Sequence, residues 1–275
     1  MFYDNLTGDT PLYRVTSSNA HWPSPLLGQG SHYSQGGRFN RINQATVYCS
    51  EDSLVVIAET AFYSALIWQR KISYQRLISM SYPLLSTHIL WSFRIEPPPP
   101  VIDLAHPDAR VGFQYPPYFL FNPSLNPRQG IQQIDQPALV DARDYQGTQT
   151  LADEIRGYIP PANTNRPRPE GVRAPSIRLK KKYRHQPQML ALFFLDPAVQ
   201  VPYQDRAVLL NQWILEIEFL QVSPRRSVDR DASEIDWLRP RFRVAGAFDI
   251  PAYAGRPHAA TLVAGEWNDL EIRYA

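Results

Sequence analysis

The chain has 275 residues, of which 44% are hydrophobic and 20% charged, an ordinary globular balance with enough length to bury a full core. Its 26 prolines against 13 glycines argue for rigid turns and extended connections and against a simple helical bundle, while 15 Tyr and 12 Phe favour sheet-rich packing. A single cysteine, Cys49, excludes an internal disulfide, and the net charge of +2 implies no partner by itself.

In chain order, residues 12–16 (Leu-Tyr-Arg-Val-Thr) read as a first strand after Pro11, and the Ser-, Gly-, Asn- and Pro-rich stretch 17–43 as a long loop. Residues 45–49 form a second strand. Ser50 is expected to cap a helix with Glu51 and Asp52 in its first turn, running to about Trp68. A third strand covers 88–95 and ends at the proline run 97–100. Residues 105–135 are loop-like, 138–141 are a further strand candidate, and 148–158 make a short helix with Thr150 as cap. After an extended proline-rich connection at 160–169 come strands at 174–179, 189–195, 213–222, 241–248 and 270–274. One helix after two strands, then mostly strands, indicates a mixed α+β fold and not the regular alternation of a doubly wound sheet. No repeat or heptad pattern is visible.

Several site types can be set aside. His21, His32, His88, His106, His185 and His258 show no pair at helical spacing, so no metal site is expected. A Gly-x-Ser-x-Gly elbow is missing. Gly28-Gln-Gly30 begins like a dinucleotide fingerprint, but Tyr33 stands at the third glycine position and no helix pattern follows.

The informative pattern is Gly36-Gly37-Arg38-Phe39-Asn40, then Thr46-Val-Tyr48-Cys49-Ser50, then Ala58-Glu59-Thr60. Paired glycines allow a tight turn and close approach to a ligand, and an arginine fork there can grip a phosphate bidentately. Alone, a glycine turn bearing a surface arginine is at least as common. Glu59 says more. On the expected helix it shares a face with Val55, Val56, Phe62, Tyr63 and Leu66, where a carboxylate is costly unless paired or used. Either a satisfied ion pair with an arginine or a functional carboxylate answers that cost. Tyr48, at a strand end between the two, reads singly as core packing.

Together these segments resemble the RES-domain family, named for arginine, glutamate and serine. The resemblance rests on Tyr13-Arg14, Gly36 to Asn40, Tyr48, Glu59, the stretch Tyr145-Gln-Gly-Thr-Gln-Thr-Leu-Ala152, and Gly171-Val-Arg-Ala-Pro-Ser176-Ile-Arg178. It implies an ADP-ribosyltransferase-like fold of packed antiparallel sheets with a cleft for NAD as substrate and no metal. Family members act as toxins of toxin–antitoxin pairs, cleaving the nicotinamide–ribose bond with water or inorganic phosphate as acceptor, and a cognate antitoxin is the usual partner. By position, Arg14 and Arg38 would contact phosphates or ribose, and Tyr48 would orient the nicotinamide. Glu59 would hold the ribose and stabilise oxocarbenium-like charge, as carboxylates do in glycoside chemistry. Ser176, which the residues alone read as a turn serine, would help position NAD, and Arg173 and Arg178 would extend the phosphate surface.

The catalytic domain is expected over residues 1–200, with a proline-rich insert around 96–137, and 201–275 as a strand-rich extension of the same domain. Two other readings stay open. One is transfer of ADP-ribose to a macromolecule. The other is an anion- or nucleic-acid-binding module using the six basic residues between 171 and 185, without which 22 basic face 26 acidic residues. Lack of interleaved aromatics counts against nucleic acid. With no signal-like or membrane-spanning run in view, the expected location is the cytoplasm, with no membrane partner.

Overall fold

Two five-stranded sheets and the helices on them are seen in a computed structural model that describes residues 3–6, 9–28, 36–71, 83–104, 119–120, 132–133, 145–160, 162–165, 167–179, 188–193, 202–221, 238–248 and 265–272. The elements are β1 Tyr3–Asn5, β2 Leu12–Ser17, a 3-10 turn Ser24–Leu26, β3 Thr46–Cys49, α1 Ser53–Lys71, β4 Leu84–Ile95, β5 Pro100–Asp103, β6 Phe119–Leu120 and β7 Gln132–Gln133. They continue with α2 Gln146–Gly157, β8 Gly171–Pro175, β9 Gln188–Phe193, α3 Tyr203–Arg206, β10 Ala207–Gln221, β11 Leu238–Phe248 and β12 Asn268–Asp269. One sheet has the order β1-β5-β8-β9-β3 and the other β12-β11-β10-β4-β2. Every pair in them is antiparallel except β5 with β8. The fold is therefore α+β with packed, mainly antiparallel sheets.

Strand alternation divides the core into layers. On β9, Leu190 and Leu192 face Val47, Cys49, Trp91, Phe93 and Val101 between the sheets. The alternate residues Ala191 and Phe193 pack under α2 with Leu151, Ala152, Ile155 and Phe39. On the second sheet, Leu215, Ile217, Phe219, Phe242 and Val244 pack with Val55, Ile57, Ala58, Ala61 and Phe62 of α1. The acidic residues alternating with them on β10 meet arginines directly across on β11: Glu216 with Arg243 at 2.6 Å, and Glu218 with Arg241. Such partly buried cross-strand pairs are worth about 0.2–1 kcal/mol each. A short bridge between Tyr13 and Ser50 ties the edges of the two sheets together, with Tyr13 N to Ser50 O at 2.7 Å.

That bridge corrects one expectation. Ser50 is buried, and its hydroxyl donates to Gln188 O, so it does not cap α1. Asp52 does, its Oδ1 accepting from Leu54 N at 2.8 Å, and both acidic residues precede the first turn. Thr150 likewise lies inside α2, which follows Tyr145 without a side-chain cap. The strand expected at 174–179 is β8, which starts earlier and ends at Pro175. The one expected at 270–274 is not formed as such: β12 lies just before it, Ile272 contributes only a bridge to Leu179, and 273–274 lie outside the described residues. β5 begins at Pro100 itself, because the first strand position is one where proline's missing N–H is tolerated. β1, α3 and the small β6–β7 pair were not legible, and the candidate at 138–141 lies outside the described residues. No described helix is long and apolar enough to cross a membrane.

Candidate active site

The glycine turn is built around contacts that a side chain would block. Gly36 has φ +89°, and a Cβ there would stand 2.4 Å from Asn40 O. At Gly37 a Cβ would stand 2.6 Å from the Tyr48 hydroxyl and 2.7 Å from Asn40 Oδ1. Gly37 N donates to both Asn40 O and Asn40 Oδ1 at 3.1 Å. Helix α2 holds the turn from behind. Gln149 Nε2 donates to Gly37 O (2.9 Å) and Asn40 O (3.1 Å). Arg156 Nη2 donates to Phe39 O (2.8 Å) and Thr46 Oγ1 (2.9 Å), with its guanidinium 4.0 Å above the Phe193 ring. Phe39 is fully buried under α2.

Tyr48 locks onto the same turn. Its hydroxyl donates to Asn40 Oδ1 and accepts from Phe39 N, both at 2.7 Å, and burial raises its pKa. Arg14, from β2, reaches Tyr48 O through Nη1 at 3.1 Å, and burial lowers its pKa. Arg38 is buried and donates from Nη1 to Pro175 O at 2.6 Å. Its Nε and Nη2 are buried with no hydrogen-bond partner among the described residues. Burial brings its pKa down to about 10, against the pull of Glu59. A bare Nε recurs at other arginines, but Nη2 of Arg38 is the one terminal guanidinium nitrogen so left among the described residues. An unpaired buried donor costs about 1–3 kcal/mol, more when charged, so it is placed for a polar or anionic ligand.

Glu59 is half-buried on α1 and accepts from Ser176 Oγ at 3.4 Å. Its pKa is raised by burial, opposed by Arg178, Arg38 and the Ser176 hydrogen bond. Ser176 is itself buried, its oxygen accepting from the backbone N–H groups of Arg178 and Leu179 at 3.3 Å.

Arg14, Arg38, Tyr48 and Glu59 line one cleft of about 330 Å³. Ser176 stands directly behind Glu59. Arg178 also lies behind the wall, its Nη2 donating to the Tyr145 hydroxyl at 3.1 Å and its guanidinium 3.5 Å over the Phe62 ring. Arg173 does not join them; it pairs with Glu51 at 2.8 Å and does not line the cleft. Both of these arginines point into protein contacts and away from a free basic surface, while Lys180, Lys181, Lys182 and Arg184 lie outside the described residues. Sequence reasoning missed Tyr63, Ser64, His88 and Tyr145 as lining residues. Tyr145 stood at the head of a segment already used for the resemblance; His88 gave no signal because it has no histidine partner.

A family model for the RES domain matches residues 11–214, well over half of the chain. The chain belongs to the RES-domain family. No curated protein matches it. Among solved structures, it is similar to a chain in the crystal structure of the M. tuberculosis MbcT–MbcA toxin–antitoxin complex, with a TM-score of 0.43 and 14% identity over 74% of this chain and 82% of that one. The RES match runs from the start of β2 into β10, so it includes the glycine turn, Glu59 and Ser176.

Proposed function

We propose that this RES domain cleaves the nicotinamide–ribose bond of NAD, with water or inorganic phosphate taking the ADP-ribosyl group, and that it serves as the cytoplasmic toxin of a toxin–antitoxin pair. The observation that carries the reading is the meeting, in one cleft, of the unpaired Nη2 of Arg38 with the Ser176-held Glu59. Family membership favours NAD as the substrate and a cognate antitoxin as the partner. Residues 1–200 hold the catalytic unit, and the later strands complete it.

In this reading the bond between C1′ of the ribose and the nicotinamide nitrogen breaks with its electron pair leaving on nicotinamide. Positive charge then spreads over C1′ and the ring oxygen, and a carboxylate fixed beside it stabilises that charge without reorganising. Ser176 hydrogen-bonds Glu59 at 3.4 Å, and the unpaired Nη2 of Arg38 is left for a phosphate or ribose oxygen. Arg14 adds a second cation, and the Tyr48 ring forms a rigid wall because both hydrogen-bonding roles of its hydroxyl are used by the turn. The oxygen of water then bonds to C1′ and its proton passes to solvent, or an unprotonated oxygen of phosphate bonds to C1′ with no proton released from it.

The test is incubation of NAD with purified protein, with and without phosphate. Free nicotinamide with ADP-ribose or its phosphorylated form is expected, and should vanish for a folded Glu59→Gln protein and fall by about 10²–10³ for a folded Arg38→Ala protein. Label carried onto a protein or nucleic acid acceptor would replace this reading by macromolecular ADP-ribosylation.

A further inference from the structure

The cleft continues past the arginines and Glu59 to a second, chemically different end. Along α1 its lining runs from Glu59 through Tyr63 and Ser64 to Ile67, roughly 12 Å at 1.5 Å per residue. Along β2 it runs from Arg14 to Ser17, about 10 Å by strand rise. Ser17 is paired with His88 across the strands. His88 Nε2 lies 3.1 Å from Ser86 Oγ and 3.5 Å from Ser64 Oγ, so an imidazole and two hydroxyls cluster there. Ile67 lines the same end with half of its surface (52%) exposed, an apolar face left open at the mouth of a polar recess.

No arginine or lysine lines this end among the described residues; the cleft's two cations, Arg14 and Arg38, are both at the other. A phosphate therefore belongs near the arginines, and a neutral group joined to it belongs beyond. Hydroxyls oriented by the His88 ring, which itself contacts Ser86, Ser64 and the Thr16 backbone, can donate and accept, matching the mixed donor–acceptor edge of a purine, and an aliphatic side chain suits its flat face.

We propose that this end is a nucleoside subsite that takes the adenosine half of the substrate, with His88 and Ser64 on the polar edge of the base and Ile67 against its face. The proposal rests on NAD being the substrate, but its own binding can be read without turnover. The probe is AMP, which carries this half and lacks the reacting bond. Calorimetric titration should show AMP binding to the wild-type protein, weakened about tenfold by His88→Ala and by Ile67→Ser, the loss of roughly one buried contact in each case. Ile67 is exposed enough that its variant folds even if His88→Ala does not. In turnover assays the preference for NAD over nicotinamide mononucleotide, expressed as the ratio of kcat/KM values, should fall by a similar factor. A merely structural role would lower both substrates together and leave the ratio alone. Absence of AMP binding to wild type, equal AMP affinity in the variants, or an unchanged ratio overturns the subsite. If AMP binding responds as expected while NAD is left whole, the subsite stands and the catalytic reading fails.

Discussion

Replacing Gly37 by alanine probes the join between the turn and Tyr48. The new Cβ would sit 2.6 Å from the Tyr48 hydroxyl and 2.7 Å from Asn40 Oδ1, against ordinary contacts of about 3.5 Å, so the phenol must retreat by nearly an ångström. That retreat stretches both 2.7 Å hydrogen bonds of the hydroxyl and leaves the Phe39 N–H buried without a partner. An unsatisfied buried donor costs about 1–3 kcal/mol and overpacking a similar amount, so a net loss of about 2–4 kcal/mol is expected. At roughly 2–4 °C per kcal/mol for a domain of this order, Tm should fall by about 5–15 °C. Thermal melts of Gly37→Ala, Tyr48→Phe and the double variant read this directly. Tyr48→Phe removes the nearest of the atoms the Cβ meets, though ring Cζ stays at 2.9 Å and Asn40 Oδ1 at 2.7 Å. Both single variants break the same hydroxyl hydrogen bonds, so the double variant should lose at least about 1 kcal/mol less than the two singles summed. Strict additivity, or a Gly37→Ala melt within about 2 °C of wild type, would refute the steric argument.

Glu59→Gln should melt higher than wild type at neutral pH while losing nicotinamide release. Its folded pKa is raised by burial, so the folded state binds the proton more tightly and the ionised carboxylate destabilises the fold above that pKa. The gain should shrink as pH falls through the raised folded value toward the ordinary carboxylate range, and a pH series of melts for both proteins checks this. Arg38→Ala should lower kcat/KM for NAD by about 10²–10³, the usual loss for a preorganised charge-stabilising donor, measured by nicotinamide release. Arg156→Lys cannot reach Phe39 O, Thr46 Oγ1 and Gln44 Oε1 together, and Gln149→Ala removes one hydrogen bond from each of two turn carbonyls. Each should cost about 1–3 kcal/mol in denaturant unfolding, and together less than the sum, because they hold the same turn.

Much of the site was legible because its parts are local. Gly36-Gly37, the strand through Tyr48 and the apolar stripe around Glu59 each carry their geometry within a few residues. Ser176 was legible only through the resemblance, since its bond to Glu59 spans 117 positions. The supports were not legible: Gln149 and Arg156 act over more than 100 residues, and nothing in a helix sequence shows which carbonyls its side chains will reach. His88 faces the cleft only because β2 pairs with β4 in a register that sets it beside Ser17. In the fold, strands with alternating or buried apolar runs were found, while β1 is too short and β5 too rich in proline to stand out. The Ser50 cap failed because its backbone bridges Tyr13, its hydroxyl is spent on Gln188 O and Asp52 N, and the helix starts only at Ser53.

Arg38 and Glu59 are proposed to form one NAD-cleaving centre. Separation of the products after wild-type and Glu59→Gln proteins have been held with NAD, in buffer with and without inorganic phosphate, tests it most directly. Nicotinamide and an ADP-ribosyl product in stoichiometric amounts from wild type, and neither from the folded variant, is the predicted result. NAD recovered whole from the wild-type reaction under both conditions, or equal cleavage by the variant, would contradict it.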